Sequence, residues 1–163
     1  MKSTIITLIA LFVFSFNPNF SLTSVASEPQ KRLNVSSLKF KDFDNNERTV
    51  ADYTGKPIVL HFWATWCPPC IKELPDLAAY HLEKKHEVNV IPIIIMDPKS
   101  DLYLSNFKKK LNIESLPFYK GLTNIDYIKE LKVSASSLPF SVFIDRNGNV
   151  VDTINGVVDW KTL

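Results

Sequence analysis

The sequence predicts an α/β fold, in which helices flank a central mixed β-sheet. Three segments carry this prediction. Two apolar, partly β-branched runs have the composition and length of buried strands, from Pro57 to Trp63 and from Val88 to Met96. Between these runs, apolar residues recur at helical spacing at positions 71, 74, 77, 78 and 82.

The N-terminal segment, residues 1-26, resembles an export signal in its composition. It has one cation at Lys2, an apolar stretch from Ile5 to Phe16, and small residues in Ser24-Val25-Ala26 that suit signal peptidase. An uncleaved membrane anchor is the alternative, although the apolar stretch is shorter than the roughly 20 residues that span a bilayer. Either way, we expect the following domain to lie outside the cytoplasm.

Residues 27-163 have the length of a single domain, and their charge is close to neutral. The whole chain carries 19 basic and 17 acidic residues, a formal net charge of +2. This balance gives no reason to expect nucleic acid as a partner.

The other elements are predicted from shorter patterns. Residues 33-40 alternate as a strand does, residues 50-53 suit a short helical turn, and residues 101-111 form an amphipathic helical pattern. Further along, we expect a short strand at 113-119, a helix at 124-133, and a strand at 141-144 that turns at 145-148 into an antiparallel partner at 150-154. Pro92 interrupts the strongest strand pattern, which predicts either a bulge or a side without a pairing partner.

The only two cysteines of the chain, Cys67 and Cys70, form a Cys-Pro-Pro-Cys motif between a predicted strand and a predicted helix. Pro68 and Pro69 suit a first helical turn, where their missing N-H groups cost nothing. The helix dipole and the unpaired N-H groups at this end favour an anion, so we expect a stabilised Cys67 thiolate.

Redox chemistry is the favoured interpretation of this cysteine pair. A purely structural disulfide would close a very short loop and constrain the unfolded chain weakly, by about 2 kcal/mol or less. A zinc or copper site would need further ligands, which do not follow at ligand spacing. In the predicted reaction Cys67 attacks a substrate disulfide and Cys70 resolves the mixed disulfide.

Three segments resemble the thioredoxin-like thiol:disulfide oxidoreductases of the bacterial cell envelope, the group that serves cytochrome c maturation. These are Gly55-Lys56-Pro57, the run LHFWATWCPPCIKELP from Leu60 to Pro75, and the run LPFSVFIDRNG from Leu138 to Gly148. The N-terminal export signal agrees with the resemblance. It implies a thioredoxin-like fold with an inserted helix and strand, and a location in the periplasm or at the outer face of the inner membrane. The family's closing C-terminal helix would be short or truncated.

The resemblance also implies roles for several residues. Pro139 would be the family's cis-proline, with Leu138 beside the sulfurs to contact substrate. Glu73 matches the carboxylate that tunes the family's cysteines, and a first-turn acid favoured by the helix dipole is the alternative. His61 takes the position of the buried acid of classical thioredoxin and would transfer protons, or it is a hydrogen-bonded core residue.

We further expect Trp66, Pro68 and Pro69 to contact substrate beside the cysteines. The predicted activity is protein-disulfide reduction, with apocytochrome c as the favoured client and a thiol-reducing membrane protein as the electron donor. No bound cofactor or metal is expected, because the dithiol is itself the redox centre. Two alternatives remain: a disulfide oxidase or isomerase, since the motif does not fix direction, and a thiol chaperone or metallochaperone without turnover.

Overall fold

A computed structural model describes residues 32–121, 131 and 137–163 of the protein. These residues contain seven strands: β1 (Lys39–Lys41), β2 (Glu47–Thr49), β3 (Ile58–Trp63), β4 (Asn89–Ile94), β5 (Tyr119–Gly121), β6 (Phe140–Ile144) and β7 (Val150–Asn155). They also contain two α-helices, α1 (Pro68–Lys84) and α2 (Asp101–Leu111), and a 3-10 turn at Val50–Tyr53. In the described parts of the chain, every helix is too short or too polar to cross a bilayer.

The strands form one mixed sheet in the order β2-β1-β5-β4-β3-β6-β7. Strand β3 pairs in parallel with β4 and antiparallel with β6, and β4 pairs in parallel with β5. The predicted hairpin is β6 and β7, which pair antiparallel. The mixed sheet with flanking helices confirms the predicted α/β fold.

Strand β3 lies near the centre of the sheet, and all six of its residues are buried. Successive side chains of a strand point to opposite faces. Val59 and Trp63 belong to one hydrophobic cluster, together with Leu74 of α1, whereas Leu60 and Phe62 belong to the other. By this alternation, the side chain of His61 lies on the α1 face of the sheet.

Pro92 lies within β4 without a bulge, because the β3–β4 register runs unbroken through the pair His61 and Pro92. The backbone N–H groups of Asn89 and Ile95 donate to carbonyl groups at the two ends of β3. The backbone N–H groups of odd-numbered residues in this strand therefore point towards β3. The backbone nitrogen of Pro92 therefore points towards β5, and pairing between β4 and β5 begins only at Ile93. Of the two predicted explanations, the side without a pairing partner is the one observed.

Two parts of the prediction differ from the structure, and a third is not tested by it. Residues 33–40 form a strand only from Lys39, because Leu38 N donates to Val35 O in a turn after an isolated bridge at Asn34. The strand expected at 113–119 begins only at Tyr119, since the preceding residues form a turn closed by Leu116 N and Ile113 O. The helix expected at 124–133 lies outside the described residues, apart from position 131.

Two leucines that the helical spacing placed in the core are exposed instead. Leu102, in the first turn of α2, is 73% exposed, and Leu82, near the end of α1, is 51% exposed. This position lies in the last turn of the helix, beyond the buried stretch from Cys70 to Ala78.

Candidate active site

Cys67 and Cys70 form a disulfide at the N-terminus of α1, with their Cα atoms 5.3 Å apart. Cys67 is the N-cap residue of the helix, and its Sγ accepts a hydrogen bond from Cys70 N at 3.3 Å. Cys67 keeps an exposed fraction of 4%, whereas Cys70 has none. Cys67 is therefore the sulfur that a substrate can approach.

Trp66, Pro68 and Pro69 surround the disulfide and are all exposed. The Trp66 indole is held by a hydrogen bond from its Nε1 to Met96 O, at 2.9 Å. The remaining face of this side chain is free in the described structure, which leaves it 54% exposed. The three residues expected to contact substrate thus form a surface around the nearly buried sulfurs.

The loop before the cysteines is fixed by Asp97, which follows β4. Its carboxylate accepts a hydrogen bond from Thr65 N at 2.6 Å and another from Lys99 N at 3.2 Å. Because Asp97 follows β4 and Thr65 follows β3, the contact joins the ends of two parallel strands. This anchoring determines where the dithiol lies relative to the sheet.

The Leu138–Pro139 peptide bond is cis, as the resemblance implied. Pro139 is buried immediately before β6, and Leu138 is half-buried and packs against both hydrophobic clusters. Phe140 pairs with Phe62, the penultimate residue of β3. This register brings Pro139 to the end of β3 from which the chain continues to the cysteines.

Glu73 is a buried carboxylate on α1, with an exposed fraction of 3%. It follows Cys70 by three residues, so both side chains lie on one face of the helix. Its Oε2 accepts hydrogen bonds from Val158 N at 3.0 Å and from Trp160 Nε1 at 3.1 Å. Burial raises the pKa of Glu73 above its usual value, and these two hydrogen bonds oppose the increase.

His61 is completely buried in β3. Its Nδ1 lies 3.0 Å from Ser141 Oγ, and its Nε2 lies 3.6 Å from Glu73 Oε1. Burial lowers the pKa of His61 to about 3, so the imidazole is neutral at physiological pH. The structure therefore brings together His61 and Glu73, two residues for which chemistry was predicted, and Glu73 follows Cys70 by one helical turn.

Sequence reasoning missed the partners of this buried pair, Ser141, Val158 and Trp160. Ser141 lies opposite His61 in the β3–β6 register, and the Trp160 ring lies edge-on to the imidazole at 5.7 Å. Both contacts join positions about 80 or more residues apart. The sequence contains no local pattern from which such pairs could be read.

The described residues contain no group of three or more His, Cys, Asp and Glu side chains arranged to hold a metal ion. A groove of about 430 Å³ lies beside the dithiol loop. Its lining combines apolar and polar side chains from α1, α2 and the loop before Cys67: Thr65, Ile71, Tyr103, Asn106, Phe107, Lys110 and Leu111.

Comparison with known proteins agrees with this fold. A model of the Redoxin family matches residues 16–162, which is most of the chain. The chain belongs to the Redoxin family. It is 30% identical to the thiol-disulfide oxidoreductase ResA of Geobacillus kaustophilus, over 72% of this chain and 64% of that protein. It is 32% identical to ResA of Bacillus thuringiensis subsp. konkukian, over 71% of this chain and 64% of that protein.

Solved structures of similar fold include the exposed lipoprotein thioredoxin Etrx1 of Streptococcus pneumoniae, with a TM-score of 0.62 and 26% identity. The alignment covers 76% of this chain and 91% of Etrx1. A thiol:disulfide interchange protein of Chlorobium tepidum gives a TM-score of 0.67 at 22% identity, over 82% of this chain and 92% of that chain. Together with the Cys67–Cys70 pair, the matches identify the chain as a member of the thioredoxin superfamily that resembles thiol:disulfide oxidoreductases. The chain spans 64% of the length of the two ResA proteins.

Proposed function

We propose that this protein reduces disulfides of exported proteins and that apocytochrome c is its main client. The observation that carries the proposal is the Cys67–Cys70 disulfide at the start of α1, with Cys67 the more exposed sulfur and the Glu73 carboxylate buried behind Cys70. This is the arrangement that thiol-disulfide exchange requires, because one thiol meets the client and the other stays protected until it resolves the complex.

The proposed reaction starts from the reduced protein. The Cys67 thiolate attacks one sulfur of the client disulfide, that disulfide breaks, and the released client thiolate takes a proton from water. Cys70 then loses its proton to the Glu73 carboxylate and attacks Cys67 Sγ, which breaks the mixed disulfide and frees the second client thiolate. The second client thiolate takes a proton from water, and Glu73 releases the proton that it received from Cys70 to the solvent. The client has then gained two electrons and two protons, and the protein is left with the Cys67–Cys70 disulfide.

Two local effects act on the thiols in opposite directions. The N-terminus of α1 stabilises a thiolate at Cys67 through its dipole and through Cys70 N, which already donates to the Cys67 sulfur. A negative charge on Glu73 disfavours a second negative charge nearby and raises thiol pKa values. The balance keeps Cys67 reactive while Cys70 holds its proton until the resolving step.

The proposed location is the periplasm or the outer face of the inner membrane. The export-type composition of residues 1-26 supports it, as does the similarity to Etrx1, a protein described as an exposed lipoprotein thioredoxin. A protein that reduces clients there must be reduced again after each turnover. A thiol-reducing membrane protein is the proposed electron donor.

An assay with two disulfide peptides tests both the direction and the client. One peptide carries an oxidised Cys-x-x-Cys-His motif, the attachment sequence of c-type haem, and the control peptide carries the same disulfide with His replaced by Ala. Reduced protein should convert one equivalent of the haem-motif peptide to the dithiol, and faster than the control. Equal rates would contradict the apocytochrome client, and net oxidation of reduced peptide by the disulfide form would contradict the reductase direction.

A further inference from the structure

Two buried polar atoms face each other in the core behind the dithiol, and neither has a hydrogen-bond partner. They are His61 Nε2 and Glu73 Oε1, which lie 3.6 Å apart. The side chains to which they belong are 0% and 3% exposed. Buried polar atoms without a partner are rare and destabilise the folded protein. The position of the proton on His61 decides whether these two atoms attract or repel.

We propose that Ser141 holds His61 in the tautomer with its proton on Nε2, and that His61 thereby acts as a third N–H donor that keeps Glu73 ionised. This rests on the proposed function, in which Glu73 accepts the Cys70 proton. His61 and Ser141 are then positioning residues, since they act on the cysteines through Glu73.

The tautomer follows from counting donors and acceptors. A neutral imidazole has one N–H donor and one acceptor nitrogen, and a serine hydroxyl can take either part. With the proton on Nδ1, Ser141 Oγ accepts, and the lone pair of Nε2 faces the Glu73 carboxylate in a dry core. With the proton on Nε2, Ser141 donates to Nδ1, and Nε2–H points at Glu73 Oε1. Only the second arrangement gives every one of these atoms a partner while Glu73 is ionised.

The distance of 3.6 Å is longer than a hydrogen bond, by about half an ångström. The imidazole and the carboxylate need to approach by only that amount for Nε2–H to reach Oε1. The other oxygen, Oε2, already accepts from Val158 N and Trp160 Nε1. Glu73 would then accept three N–H donors, an arrangement that strongly favours the charged form of a carboxylate.

A neutral donor has a specific advantage here. Burial keeps the imidazole uncharged, so His61 stabilises the Glu73 carboxylate without adding a positive charge beside the cysteines. The other described ionisable groups near this network are Cys70 on α1 and Tyr80, whose ring packs on Trp160. The charged pair of Lys161 and Asp76 lies at the surface.

Nitrogen chemical shifts of the imidazole test the tautomer directly in the unmodified protein. The chain has three histidines, and His61 can be assigned by comparison with a His61→Asn variant. At neutral pH the reduced protein should show His61 with its proton on Nε2. A proton on Nδ1 would overturn the proposal, whether or not any other variant folds.

The link from Ser141 to the cysteines is tested by a double-mutant cycle on the pKa of the Cys67 thiol. Ser141→Ala removes the donor to Nδ1, favours protonated Glu73, and should increase the acid dissociation constant of Cys67 by about tenfold. The same change in a Glu73→Gln background should have no effect. Ser141→Thr keeps a hydroxyl and should restore the unmodified value.

Val142→Ala is the matched control, because it removes a buried side chain from the neighbouring position of β6 without touching the network. It should lower stability and leave the thiol pKa unchanged. An equal effect of Ser141→Ala in both backgrounds would overturn the proposal, since a general loosening of β6 would explain it. A Glu73→Gln variant with an unchanged thiol pKa would instead contradict the proposed role of Glu73. The nitrogen chemical shifts would still show which ring nitrogen of His61 carries the proton.

Discussion

Cys67 and Cys70 differ in what surrounds them. Cys67 caps the helix and keeps an exposed fraction of 4%, whereas Cys70 lies within the first turn and is completely buried. This difference supports the proposed attacking role of Cys67 and the proposed resolving role of Cys70. It also predicts which single variant stays attached to a client.

Cys70→Ser should trap a covalent complex with a client, because Cys67 can still attack but no thiol remains to release it. Cys67→Ser should trap far less, since the remaining thiol is completely buried. Non-reducing gels of the two purified variants, each incubated with an oxidised client, measure this directly. Equal trapping by the two variants would contradict the assignment.

Glu73→Gln should lower the pKa of Cys67. The substitution removes a buried negative charge that opposes thiolate formation, and the Gln side-chain oxygen can still accept from Val158 N and Trp160 Nε1. The rate of iodoacetamide alkylation as a function of pH gives the thiol pKa. Asp76→Asn, which removes an exposed carboxylate from the same helix, is the control and should leave the pKa unchanged. A titration in which Glu73→Gln also matches the unmodified protein would remove Glu73 from the site.

At the residue scale, the sequence was most informative where residues are close along the chain. The placement of the prolines in the first helical turn was expected from the Cys-Pro-Pro-Cys motif, and the cis bond before Pro139 was implied by the resemblance to the thioredoxin-like family. The sequence also suggested His61 and Glu73 separately, but not their contact, since one lies on a strand and the other on a helix. The sequence did not indicate Ser141 and Trp160, because only the folded structure brings them into contact with His61 and Glu73.

At the scale of elements, each of the two described α-helices begins with a capping side chain, and the capping atom differs between them. Helix α1 is capped by the Cys67 sulfur, and α2 is capped by Ser100, whose hydroxyl accepts from Tyr103 N at 3.3 Å. The bounds of α2 agree with the predicted range, because its apolar spacing, its cap and its three terminal lysines all indicate the same segment.

Ser100→Ala should lower the free energy of unfolding by about 1 kcal/mol, because the first turn of α2 loses its side-chain acceptor. Ser105→Ala is a matched control in the same helix, where alanine replaces a non-capping serine and should be neutral or slightly stabilising. Urea denaturation of the oxidised proteins measures both changes. Equal destabilisation by the two substitutions would contradict the capping role of Ser100.

The short edge elements were the least predictable. Strand β5 pairs with β1 through Phe40 and Gly121 and with β4 through Ile93 and Tyr119. Three residues cannot display enough alternation to define a strand, so its place depends on the neighbours that it joins. The apolar positions before it, Ile113 and Leu116, are buried in a turn, which explains why they resembled strand residues in the sequence.

At the scale of the whole molecule, the sheet separates two hydrophobic clusters, and the redox site lies on one of these faces. The cluster on the α1 side contains both cysteines together with Val158 and Trp160 from the last described segment. The hydrogen bonds from Val158 and Trp160 to Glu73 tie this segment to α1. The sequence predicted the central strands from their apolar runs, but the order of strands and the closure of this face depend on contacts between distant residues.

The reduction potential of the Cys67–Cys70 pair tests the central claim most directly. It can be measured by equilibrating the purified protein in dithiothreitol or glutathione buffers, with the fluorescence of the exposed Trp66 as the readout. A disulfide reductase should have a potential well below roughly −200 mV, where its dithiol can give electrons to client disulfides. A potential near roughly −120 mV, the range of strong periplasmic oxidants, would contradict the reductase function.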